Sequence, residues 1–175
     1  MTPAADLASA VGDLLQHLTG ADRREAALLR ADDQKVRALA CELLATARKA
    51  VSAAEGQFRR EHIPPPTRAA PFPPADAVAD ARRIEALAQA IGGLEGQARH
   101  APVPGDDRSA RRYRDEHATL VSLIAHDRQL IEQADALRRA VVEADPGDLL
   151  AAADRLATLI ERVSETLAAR RLMLV

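Results

Sequence analysis

Glu116, His117, His126 and Asp127 are side chains of the types that bind metal ions or move protons, gathered within twelve positions of one another. They fall in the stretch 111–144. There Leu120, Leu123, Ile124, Leu130, Ile131, Leu137, Val141 and Val142 recur at three and four residues, the spacing of one helix face. At 100° per residue Asp127 stands almost at the centre of the arc drawn by Leu120, Leu123, Ile131 and Ala134. Glu116 lies toward one end of that arc and Arg138 toward the other. A carboxylate in such a place is costly unless something pairs with it. One reading is a metal or small-molecule site in the centre of a bundle, with Glu116, His117, His126 and Asp127 as its binding residues. The simpler reading is an Asp127–Arg pair that fixes helix register, or a helix end or groove that stays wet.

The element that must position this helix is its neighbour in sequence. Asp145-Pro146-Gly147-Asp148 breaks the pattern, because Pro146 cannot continue a helix and Gly147 frees the backbone for a turn. Asp145 or Asp148 can cap the start of the next helix. A second amphipathic run then carries Leu149, Ala152, Leu156, Leu159, Ile160, Val163, Leu167 and Leu174, on a face interrupted only by Arg170. So short a break predicts two antiparallel neighbours.

Glu116-His117, followed by Leu120, Ile124 and a helix-turn-helix, faintly resembles the C-terminal half of hemerythrin-like four-helix bundles. That resemblance would imply a non-haem di-iron centre built partly from a His-x-x-x-Glu pair on the following helix. The corresponding Glu161-Arg162-Val163-Ser164-Glu165 has no histidine, nor does any position from 146 to 175. The Glu-x-x-His pairs of ferritin-like sites are missing from that helix as well. The family is therefore not assigned, and no cofactor and no metal is expected.

Upstream, Leu7, Val11, Leu14, Leu15 and Leu18 predict a short helix over 4–18 that ends at Thr19-Gly20. A long helix is expected from about Asp22 to His62, capped by Thr19 or Asp22, with Gly56 as its weak point. Its stripe is Leu29, Val36, Leu39, Leu43, Ala47, Ala50, Ala54 and Phe58. Pro64, Pro65, Pro66, Pro71, Pro73 and Pro74 then impose extended backbone over 63–75. This reads as a semi-rigid connector, with Pro71-Phe72-Pro73-Pro74 as a loose docking motif for an SH3-like or WW-like groove. Ile84, Leu87, Ile91 and Leu94 predict a further helix over 76–98, whose Gly92, Gly93 and Gly96 invite fraying or a close helix approach.

Thirty-nine of the 175 residues are alanine and 2% are aromatic, with no Trp. Alanine favours helix but buries little area, so the expected core is thin and closely packed. A net charge of −2 gives no global reason to bind nucleic acid or acidic lipid. The Arg108, Arg111, Arg112 and Arg114 cluster is offset by Asp106, Asp107, Asp115 and Glu116. Cys41, alone, excludes an intrachain disulfide, and its place off the apolar stripe reads as inert rather than reactive. His17, His62 and His100 sit near expected helix ends, where they complement the dipole.

The chain is thus expected to be all-α: an antiparallel helical bundle, or an elongated helical hairpin or coiled coil, with four main helices and a short N-terminal one. Residues 1–62 and 76–175 should pack as one domain around the linker 63–75. The expected function is non-enzymatic: an adaptor, assembly or scaffold subunit that binds a protein partner or itself through apolar helix faces. A cytoplasmic location, no membrane insertion and no nucleic-acid partner go with it.

Overall fold

In the computed structural model, residues 3–20, 24–68, 71–102, 116–144 and 148–173 are described. Their regular structure is helical: α1 (Pro3–His17), α2 (Ala26–His62), α3 (Ala75–Arg99), α4 (Glu116–Val142) and α5 (Ala153–Leu172). Among the described residues there is no strand, and no helix is long and apolar enough to cross a membrane.

The helix ends depart from expectation in instructive ways. Thr19 does not cap α2; its hydroxyl donates back to the Leu15 carbonyl, and Gly20 turns the chain with φ 79°. α2 starts at Ala26 behind an extended Glu25 that makes no side-chain cap bond; Asp22, the other expected cap, lies outside the described residues. Gly56 leaves α2 unbroken. A mid-helix glycine costs only about 1 kcal/mol, and α3 packs alongside, with Arg59 bonded to Glu85 across the pair. α3 likewise runs through Gly92, Gly93 and Gly96 to Arg99. At Gly92 the reason is steric: a Cβ there would sit 3.1 Å from Arg48 Cδ, so the missing side chain lets the α2 arginine cross. The α4–α5 break is longer than the sequence suggests. Leu149 is buried in a turn before α5 begins, and the expected cap Asp148 instead contributes its carbonyl to the Ala152 N–H; Asp145 lies outside the described residues.

Side-chain pairs give the helix directions. Arg48–Glu95 and Arg59–Glu85 make α2 and α3 antiparallel. Thr166–Gln133 and Arg170–Asp127 do the same for α4 and α5. His117 bonds at the Arg24 carbonyl just before α2, and Ala54 and Val141 line one groove toward the other ends, so α2 and α4 run parallel. α3 packs on α5, and α1 lies across α2 and α4. The apolar stripes meet inside this arrangement: Leu29, Val36, Leu43, Ala47 and Val51 of α2, with Ile84, Ile91, Leu123, Ile131, Leu137, Leu156 and Val163, have no more than trace exposure and form one core. α2 is about 55 Å long at 1.5 Å per residue, and its fully buried residues stop at Ala54. Its last two turns lead out to the proline-rich connection.

Candidate functional site

The largest fully enclosed side chain is not an aromatic or a leucine but Arg170, 1% exposed, on α5. Its guanidinium donates in three directions. Nε reaches Asp127 Oδ1 of α4 at 2.9 Å, one Nη reaches the Pro102 carbonyl just beyond α3 at 2.8 Å, and the other reaches Asp33 Oδ1 of α2. Asp33 Oδ2 in turn accepts from Arg37 Nε at 2.9 Å. One cation therefore joins all four main helices at one end of the bundle. The planar fork of arginine suits this task, since it presents several donors in fixed directions.

The junction carries two buried carboxylates on one enclosed arginine, and its bonding is incomplete. Asp127 Oδ2 is buried with no hydrogen-bond partner among the described residues. Burial pushes the Asp127 carboxyl up to about 7; Arg170 opposes the rise, while the charge and hydrogen-bonding proximity of Asp33 add to it. Two further acids are enclosed nearby. Asp32 accepts from His17 of α1 at 2.9 Å and from Arg24, which fastens α1 to the start of α2. Asp135 accepts from Arg138 at 2.9 and 2.7 Å within α4.

Of the four residues proposed from sequence, the three with described side chains do not converge. Asp127 faces Arg170 in the core. His117 is exposed, and its Nε2 lies 2.8 Å from the Arg24 carbonyl. His126 is half-buried; nine residues from His117, it projects on the opposite side of the same helix. The Glu116 side chain lies outside the described residues. Among the described residues no three His, Cys, Asp or Glu side chains are grouped to hold a metal ion. Two of the polar residues on the α4 face are in ion pairs, Asp127 with Arg170 and Arg138 with Asp135. Sequence reasoning missed Asp33 because, at 100° per residue, it falls about 20° outside the arc of the α2 stripe read from sequence, and only the burial of Leu44 and Val51 widens that face to include it.

The secondary candidates resolve simply. Cys41 is half-buried, its thiol donates to the Glu95 carbonyl at 3.6 Å, and burial raises its pKa, the opposite of an activated thiol. His62 packs on Phe58 with ring centroids 4.4 Å apart. The Arg108–Arg114 cluster lies outside the described residues.

At the far end of the bundle, the described residues of 63–74 are exposed apart from half-buried Ile63. Phe72, between Pro71 and Pro73, is 84% exposed, the most exposed large hydrophobic side chain among the described residues. An open groove lies between α3 and α5 beside the junction, lined by Gly93, Gly96, His100, Pro102, Leu167 and Arg171. No protein-family model, curated protein or solved structure matches this chain.

Proposed function

We propose that this protein is a non-enzymatic interaction module that presents the segment Pro71-Phe72-Pro73-Pro74 to an apolar, aromatic-lined groove on a protein partner. The observation that carries the reading is the 84% exposure of Phe72. The helix stripes that first suggested partner binding are occupied by the protein's own core, so the apolar surface left for a partner has to be sought outside them.

Two physical points support the arm. Helix neighbours in bundles are usually joined by roughly two to eight residues, whereas twelve separate His62 from Ala75. Prolines also hold the backbone extended before binding, which lowers the entropy lost when an aromatic side chain docks. A centrally placed aromatic anchor is the kind of residue that carries most of an interface's energy.

The test is affinity co-purification from native cells, quantified by mass spectrometry, with wild-type, Phe72→Ala and Leu172→Ala proteins side by side. A stoichiometric partner retained by Leu172→Ala and lost by Phe72→Ala is the expected result. Equal recovery with all three proteins would remove the arm from the mechanism.

A further inference from the structure

The junction at Arg170 sets two carboxylates on one enclosed arginine; Arg37 takes the second oxygen of Asp33, while Asp127 has Arg170 alone. Among the described residues, the charged groups bonded into the junction come from α2 and α5: Asp33 of α2, with Arg37 behind it, and Arg170 of α5. The end of α3 offers only the Pro102 carbonyl, itself an acceptor already taken by Arg170. α1 also packs on α4, but its His17 is committed to Asp32. Beside Asp127 in sequence, His126 is half-buried. No donor among these groups reaches Asp127 Oδ2, and Asp33 lies within hydrogen-bonding reach of the same carboxyl.

A proton relieves both the unpartnered oxygen and the approach of the two carboxylates. Placed on Asp127, it turns the unpartnered oxygen into a donor, gives Asp33 a further bond to accept, and removes one of two like charges from a dry site. We propose that the junction is a proton-operated latch: Asp127 holds a proton shared with Asp33 while α5 is seated, and loss of that proton loosens the C-terminal turns of α5 together with Pro102. Because Pro102 also lines the groove between α3 and α5, the state of the latch sets how firmly that groove is closed at its end. This rests on the buried junction alone and is independent of the role given to Phe72.

The direction comes from linkage. With the latch released, Asp127 meets water and returns toward its ordinary value of 3.8, against about 7 when seated. Between those values the seated form holds more protons than the released form, so seating weakens as pH rises, and the dependence levels off above the upper value.

Two measurements on the full chain test the latch. Carbon NMR of the wild-type aspartate carboxyls should find one that titrates near neutral pH. Amide hydrogen-exchange protection over 166–172, corrected for the intrinsic pH dependence of exchange, should fall roughly a hundredfold from about pH 5 to about pH 8 in the wild type. It should hold steady in Asp127→Asn, where the amide oxygen still accepts from Arg170 and the amide N–H stands where the proton was. Overturning results are three: every aspartate titrating in the ordinary carboxylate range, the same pH-dependent loss in Asp127→Asn, or an Asp127→Asn protein that fails to fold, since Asn is the neutral isostere of the protonated form.

Discussion

The two ends of this bundle use their unusual residues in opposite ways. At one end, where α2 and α4 begin and α3 and α5 finish, charged side chains are taken inside: Arg170, Asp127 and Asp33 are almost completely enclosed. At the other, beyond the end of α2, an aromatic side chain is left outside on a proline-rich connection. The first arrangement spends desolvation on geometric definition. An apolar Leu/Ala core tolerates sliding by a turn, whereas three directed bonds from one guanidinium accept a single register. The second leaves apolar area in water, where it contributes nothing to the fold and is available to a partner. What separates them is the number of satisfied partners, not the hydrophobicity of the residues.

The contrast between the ends breaks first if the junction is dispensable. Arg170→Ala leaves Asp127 without a cation and Asp33 with Arg37 alone, and should cost about 3–5 kcal/mol, read as a lowered midpoint in urea unfolding followed by circular dichroism. Unchanged stability would mean that the junction is wet and that the register is set by apolar packing alone. The pH dependence comes next. Because Asp127 keeps its proton to higher pH when folded, its contribution is fully present below about pH 4 and is lost as pH rises toward about 7. Unfolding midpoints of wild type and Asp127→Asn should therefore lie close together in acid and diverge toward neutral pH, with the variant the more stable.

Smaller effects sharpen the contrast. Asp32→Ala removes the acceptor shared by His17 and Arg24. It should cost about 1.5–3 kcal/mol, the range for hydrogen bonds to charged groups, with the loss of amide protection concentrated in α1. Phe72→Ala, at the opposite end, should change stability by no more than about 0.5 kcal/mol, as expected of an exposed side chain. A large loss there would show that the arm belongs to the fold and would undo the division between the two ends.

Much of this was legible from the residues. The 3.6-residue periodicity of Leu and Ala identified the helices, because a stripe of that spacing has no other way to leave water. The proline spacing located the connection, because those rings remove donors and fix φ. Asp127 and Arg170 each stood out as a charge on an apolar face. Helix starts were less legible: Asp22, Thr19, Asp145 and Asp148 were all suitable caps by type, but capping depends on where a neighbouring helix lets the chain turn. Gly56 and Gly92 had the composition of weak points, and only the packing of α3 against α2 made them continuous.

The site itself divides along the same line. The sequence determined that a carboxylate and a guanidinium had to be buried on neighbouring helices, since angular position along a helix is set by residue number alone. It did not determine that they meet, nor that Asp33 and the Pro102 carbonyl join them, because those groups lie 137 and 68 residues from Arg170 along the chain. Only tertiary structure brings them within bonding distance. Whether a buried charge becomes a ligand or an ion pair is decided there, by which partner the packing delivers first.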